Sequence, residues 1–536
     1  MEQYLIYNTL QYPMLSLLIL IPLIGAGICV LIPDRSDTNS RFLKMWGALV
    51  TTVTAVVSLP LYVYFDRATA KYQFAEVSRW IPFLDLDYVV GVDGISLLLV
   101  LLTTIIMPLC VFCSWNYIAS RVKEFIVVLL VMEAAMIGVF ISLNTVLFFI
   151  FWEAMLVPMY LLIAVWGGPR KDYASIKFFL YTLIGSIFLL VSIVALYIVT
   201  GTFFIPELME QTYSYTFQMW IFLACTLAFA IKIPMFPVHT WLPAAHVEAP
   251  TAGSVILASI LLKMGGYGFL RFCLPMAPAA TATCMPWLLT VSIMSIVFGG
   301  YLALGQSDIK KLIAYSSVGH MGFVTLGIFL LSEAGIKGAI LQMINHGITT
   351  GALFICVGII YERTHSREIS DNSALGAFMP WYVTFLVIFS LSSLAFPGTN
   401  SFVGEFLVLL AAFTQFKLVG AFAVLGAILA AAYMLRLVQK MVWADSDGHG
   451  HHPEGDGDGH ALADLNLREI ATLAFLTVFV FWIGLHPTPL LDVMDTSVTH
   501  LVEQVASGMQ QHAPGGGSHH ALMSGLGEWV SGIVTF

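Results

Sequence analysis

The sequence predicts an all-α, polytopic membrane protein with about fourteen transmembrane helices, and three observations predict it. First, 59% of its 536 residues are hydrophobic and only 10% are charged, whereas a soluble domain gives about a quarter of its residues to Asp, Glu, Lys and Arg. Most of the surface therefore faces lipid. Second, apolar runs recur, each close to the roughly 20 residues that a hydrocarbon core requires of a helix. Third, Lys and Arg alternate in density from loop to loop, as expected of a chain threaded repeatedly through a membrane. Nucleic-acid binding and ordinary soluble enzyme classes are set aside by the same composition. A formal charge of −9 with no basic patch argues against polyanionic partners.

The runs fall near 15–33, 44–65, 91–115, 125–142, 146–167, 175–200, 216–240, 251–272, 284–304, 310–331, 336–361, 380–410, 419–442 and 470–487. Glu2, with no Lys or Arg, precedes the first run, so it lacks the positive leader of a signal peptide and reads as a retained span. Loops after odd-numbered runs hold thirteen Lys and Arg and those after even-numbered runs six, which places the odd loops in the cytoplasm and both termini outside it. The chain divides into three N-terminal spans over 1–120, spans 4 to 8 over 121–275, spans 9 to 13 over 276–443, an acidic His-rich loop over 444–468, and span 14 with a tail over 469–536. Within that loop, Asp445 to His460 carries four His and five acids among glycines, a composition that reads as a solvated loop rather than a fixed metal site. The seven cysteines lie scattered in apolar runs, where a thiol packs as a small hydrophobe; Cys110 and Cys113 form a lone CxxC with no second pair.

Ionisable side chains stranded in mid-span are costly and mark function by default. Glu133, Glu153, Lys232, Lys263 and Glu405 lie there, joined by His320 and His346. The backbone is broken beside two of them: Pro234 and Pro237 follow Lys232, and Pro397-Gly398-Thr399-Asn400 precedes Glu405. Proline removes a helix donor, and irregular backbone at membrane depth is tolerated only where protein covers it or water lines it. If spans 4 to 8 and 9 to 13 are two units, the broken helix is the fourth member of each. Because five is odd, the second unit starts from the opposite face. Two inverted five-helix repeats follow, with Lys232 and Glu405 expected at related positions.

Burial disfavours the charged form of amines and carboxylates alike, bringing such groups into the range where they exchange protons. A Glu, Lys and His series suits proton passage, whereas a resident sodium or potassium ion needs converging oxygens and is opposed by the lysines. Moving a proton against about 200 mV costs roughly 4.6 kcal/mol, at about 2.3 kcal/mol per 100 mV. The chain contains no GxxxxGK[ST] loop and no Cys cluster for iron and sulfur. The driving reaction must belong to another polypeptide or be a second ion gradient.

Four stretches, KIPMFPVHTWLP over 232–243, HVEAPTAGS over 246–254, LKMGGYG over 262–268 and DIKKLIAYSS over 308–317, resemble the antiporter-like subunits of respiratory complex I. The resemblance extends over roughly residues 80 to 490. Glutamate in FVGEF over 402–406 is similar to the M-type members, where the L and N types and most antiporter relatives have lysine. The resemblance implies a Glu153 to Lys232 pair in a first half-channel, Lys263 as a connecting lysine, His320 and His346 along a hydrated axis, and Glu405 at a second half-channel. Glu133 matches an acid placed near a neighbouring subunit. Ala244 departs from the pattern, which commonly has aspartate there.

The implied function is proton translocation in the membrane arm of NADH:quinone oxidoreductase, in a bacterial inner membrane beside L- and N-type neighbours. No cofactor is expected on this chain; FMN, iron-sulfur clusters and quinone are expected in partner subunits. A subunit of a multisubunit sodium/proton antiporter or of a membrane-bound hydrogenase is the alternative, and Glu405 disfavours the antiporter. A third reading is a structural spacer whose charges only hold subunits together.

Overall fold

The computed structural model describes residues 1, 3–7, 12–33, 37–84, 86–443 and 462–511, and 79% of those described residues are helical. Among the described residues thirteen helices are long and apolar enough to cross a membrane. Those preceding the first break are α1 (Met14–Leu31), α2 (Thr38–Val63), α3 (Gly94–Cys113), α4 (Val122–Ile141), α5 (Thr145–Trp166), α6 (Lys171–Thr200) and α7 (Tyr215–Lys232). The short helix α8 (Trp241–Glu248) completes that broken segment. Then come α9 (Thr251–Met276), α10 (Pro278–Leu304), α11 (Ile309–Phe329) and α12 (Glu333–Thr364). A fourteenth crossing is divided between α13 (Pro380–Ser393) and α14 (Asn400–Gln415). Neither piece reaches span length alone, because the turn around Gly398, with φ of +92°, interrupts the run. The series ends with α15 (Lys417–Val442) and α16 (Leu467–Leu485). The His-rich loop over 445–460 and the tail beyond 511 lie outside the described residues.

Two elements were absent from the sequence reading. The connection between α2 and α3 forms an antiparallel hairpin of β2 (Tyr72–Ile81) and β3 (Leu86–Val92), with β1 (Leu5–Tyr7) parallel to β2. The second is α17 (Thr488–Gln511), whose Leu490, Val493, Met494, Val498, Leu501 and Val505 form one buried stripe. Three- and four-residue spacing marks an amphipathic helix, but a search for continuous apolar runs passes over it.

Contacts at the helix ends define two faces. On the hairpin face, Ser16 at the start of α1 donates to Glu76 of β2. On the same face Leu143 N–H, just past α4, donates to the Val89 carbonyl at 3.0 Å, and Lys337 of α12 pairs with Asp495 of α17 at 2.5 Å. On the opposite face, Lys44 donates to the carbonyls of Trp115 and Ile118 at 2.8 and 2.7 Å, and Arg363 pairs with Glu469 at 2.7 Å. Spans 4 to 8 start from this second face and spans 9 to 13 from the hairpin face, so the two five-helix units run in opposite senses.

Both breaks are closed by side chains, as backbone cut off from water requires. After α7, the Trp241 indole donates to the Ile231 carbonyl at 2.8 Å and Phe236 N–H donates to Ser295 Oγ at 2.9 Å. After α13, Asn400 Oδ1 accepts from Ser392 at 2.6 Å and Thr349 at 3.2 Å, while its carbonyl accepts from Asn345 at 2.7 Å.

Candidate functional site

Four of the seven singled-out residues form a continuous row. Lys263 of α9 follows a π-helical turn, Leu257–Leu261, a local widening often found at functional positions. Its Nζ donates to the Ala258 carbonyl and lies 2.7 Å from His346 Nδ1 of α12. The rings of His346 and His320 stand with centroids 5.7 Å apart. His320 of α11 places Nδ1 2.9 Å from Glu405 Oε1 and Nε2 3.2 Å from Ser393 Oγ. Gln342 Nε2 donates to the same Glu405 oxygen at 2.9 Å. The second broken helix thus holds His320 from both sides, through the last residue of α13 and the second turn of α14. All four members of the row are at most 4% exposed. Charged groups that deep require partners, and here they are one another's.

The first half-channel differs from expectation. Lys232, at the end of α7, lies over the Trp152 ring at 4.9 Å from its centroid. Glu153 and Lys232 do not come within the 4.0 Å of an ion pair. Adjacent residues on a helix point about 100° apart, so α5 turns Trp152 toward the amine and the Glu153 carboxylate aside. One oxygen of Glu153 is buried without a partner among the described residues. A direct Glu153 to Lys232 pair is therefore corrected to a Trp152 contact with Glu153 behind it. Nor do Lys232 and Glu405 hold equivalent positions: Lys232 ends the arm before its break, while Glu405 lies in the arm after its own.

Packing brings the end of α7 against α9. A Cβ on Gly265 would lie 2.8 Å from Ile233 N and from Phe229 O, so only glycine permits this approach two residues from Lys263. On the other side of α9, Ser259 Oγ donates to the Gly347 carbonyl at 2.7 Å and fixes the register with α12 next to His346.

Glu133 of α4 is fully buried within this chain, and neither carboxylate oxygen has a partner among the described residues. The side chains of this chain that cover Glu133 stand between its carboxylate and anything outside.

One residue escaped the sequence reading. His246 of α8 is fully buried, stacks on Phe354 with centroids 4.5 Å apart, and leaves both ring nitrogens without partners among the described residues. Beyond it, Lys310 Nζ donates to the Ala249 carbonyl at 2.5 Å. Glu248 accepts from the Arg170 backbone N–H at 3.0 Å. Glu248 and Lys310 line a cavity of about 30 Å³, enough for one water molecule. Ala244 lines a larger cavity, about 250 Å³, with Glu248 and Lys311, so its methyl group stands where the usual acid would face that space. The available signal was a histidine two residues from a glutamate just after a broken helix.

Comparison with known proteins gives the family of the chain. Residues 142–430 match the family described as "NADH:quinone oxidoreductase/Mrp antiporter, TM", and residues 14–139 match "NADH-ubiquinone oxidoreductase chain 4, amino terminus". The chain is 44% identical over 504 residues to NADH-quinone oxidoreductase subunit M of Rhodobacter capsulatus, covering 91% of this chain and 96% of that one. It is also 44% identical over 490 residues to NADH-ubiquinone oxidoreductase chain 4 of Arabidopsis thaliana, covering 91% and 97%. A chain of respiratory complex I from Thermus thermophilus superposes with a TM-score of 0.82 at 27% identity, covering 92% and 99%. A chain of the Mrp complex from Dietzia superposes with a TM-score of 0.77 at 20% identity, covering 97% of this chain and 59% of that one, a likeness of fold. The chain therefore belongs to the subunit M/chain 4 family of NADH:quinone oxidoreductase, the proton-translocating membrane-arm subunits of complex I.

Proposed function

We propose that the protons translocated by this subunit travel along the row Lys263, His346, His320 and Glu405. The observation that carries this reading is the row of close approaches: Lys263 to His346 at 2.7 Å, the His346 and His320 rings with centroids 5.7 Å apart, and His320 to Glu405 at 2.9 Å. Two cations 2.7 Å apart in a dry interior repel strongly, so Lys263 and His346 share one excess proton rather than carry two. Imidazole accepts at one nitrogen and releases at the other. His346 Nε2 has no partner among the described residues, and a water molecule there completes the link to His320. Glu405 stabilises the imidazolium of His320 and draws the proton to that end. Lys232, with Trp152 and Glu153, forms the second charge centre, which loads Lys263 across the Gly265 contact. His246, Lys310 and Glu248 form a branch from the face opposite the hairpin. Glu133 senses the neighbouring subunit through the residues that cover it.

The energy comes from redox chemistry on other subunits, which hold FMN, iron-sulfur clusters and quinone; L- and N-type subunits are the neighbours in the membrane arm. The face rich in Lys and Arg is cytoplasmic, both termini lie on the far side of a bacterial inner membrane, and residues 121–275 and 276–443 are the two functional repeats. Glu405→Gln in the assembled complex is the test: NADH-driven proton uptake by inverted membrane vesicles should fall sharply with assembly intact. Wild-type uptake in that variant counts against the relay.

A further inference from the structure

A second buried charge pair lies toward the hairpin face, outside the row. Arg271 of α9 pairs through Nη2 with Asp93, and both side chains are at most 5% exposed. Asp93 caps α3, accepting from the N–H groups of Ile95 and Ser96 at 3.2 and 3.0 Å. The guanidinium lies between the rings of Tyr72 and Tyr267, 5.3 and 5.2 Å from their centroids, and donates to Tyr72 Oη at 3.3 Å. Its Nε has no partner among the described residues. The pair forms the base of a cavity of about 430 Å³ whose wall includes the exposed Lys71, Glu210 and His500 and the partly buried Gln504.

Behind the pair stands the row. Lys263, Tyr267 and Arg271 are four residues apart on α9, so they occupy one side of it, and Arg271 lies about 12 Å along the axis from Lys263. Tyr267 fills the interval, with its hydroxyl donating to the Phe140 carbonyl at 3.2 Å. A cavity with exposed residues in its wall, this close to the lysine of the proposed relay, would be a route for return flow if nothing sealed it.

We propose that the Arg271–Asp93 pair is the barrier that seals Lys263 from the hairpin-face cavity and prevents protons from leaking back through the subunit. A guanidinium does not release its proton at accessible pH and so cannot serve as a link in a relay. Its fixed positive charge also opposes an incoming hydronium ion, as arginine does in proton-excluding pores. Asp93, fixed by α3, keeps that charge in place, since an unpaired buried cation would not stay there. The inference rests on the reading of Lys263 as a relay member.

The test uses the whole complex in native inverted membrane vesicles, with two variants of the pair. Arg271→Gln/Asp93→Asn removes both charges and leaves hydrogen-bonding groups. Arg271→Lys keeps the charge and the pairing but introduces an amine that releases its proton. With NADH:quinone oxidoreduction retained, each should lower the proton gradient sustained per NADH oxidised and raise passive proton permeability without NADH several-fold. Adding Lys263→Ala should return that permeability to the wild-type level. A purely structural role predicts that Arg271→Lys behaves like wild type. Wild-type tightness in either assembled variant overturns the barrier, as does a leak that persists with Lys263→Ala. Failure of the relay itself has a separate signature: Lys263→Ala alone pumping normally.

Discussion

Lys263 Nζ lies 2.7 Å from His346 Nδ1, across 83 residues of sequence and between two helices whose span windows are entirely buried. Neither side chain reaches solvent, so any proton held there arrived through the protein. On the proposed relay the two groups share one proton between two alternative positions.

The requirement at this position is an amine that releases its proton. Lys263→Ala and Lys263→Arg should both lower NADH-driven proton translocation by about a hundredfold or more, the usual scale for loss of a proton-transfer group. Arginine keeps the charge but not the exchange. Proton uptake by inverted vesicles measures this; wild-type pumping in Lys263→Arg would mean that charge alone suffices.

At the first charge centre, Lys232→Ala should leave the complex assembled on native gels while pumping and coupled quinone reduction fall sharply. Trp152→Leu removes a cation–π contact worth about 2 kcal/mol in a desolvated setting and should weaken pumping less. If Glu153→Gln proves neutral while Trp152→Leu abolishes pumping, the amine depends on the ring alone.

Gly265 separates two helices. Gly265→Ala forces a methyl group against Ile233 N and Phe229 O, both backbone atoms at 2.8 Å, and overpacking of this kind costs about 1–3 kcal/mol. A lower melting temperature of the assembled complex and reduced pumping are expected; unchanged values for both would show that α7 and α9 are held elsewhere.

Asp93 links stability to pH. Burial alone would raise its pKa, but the Arg271 guanidinium beside it, with hydrogen bonds from Arg271 and Ser96, holds the carboxyl below the usual range. A carboxyl lowered in the folded state stabilises the fold fully above its unfolded value, about 3.9. That contribution is lost as pH falls through the folded value. Thermal melts of the purified complex should show Asp93→Asn destabilised at neutral pH by about 3–5 kcal/mol, the scale for breaking a buried pair. The gap to wild type should narrow in acid, and a gap independent of pH would assign the loss to the helix cap alone.

The membrane class, the fourteen crossings and the two breaks were legible in the sequence because lipid imposes a length on each helix and a cost on each stranded charge, and both can be read one segment at a time. The same cost marked Glu133, Glu153, Lys232, Lys263, His320, His346 and Glu405 in advance. Only the tertiary structure decided which of them meet. Helix rotation turned Trp152 rather than Glu153 toward Lys232, close packing enclosed Glu133, and His246 came to stack on Phe354. The hairpin and α17 also became visible only when folded, since neither is a continuous apolar run. Burial is a property of a single segment and leaves its mark locally, whereas contact depends on the relative rotation and depth of helices far apart in the chain, fixed here by side chains such as Ser259, Gly265 and Asn400 whose partners no local pattern discloses.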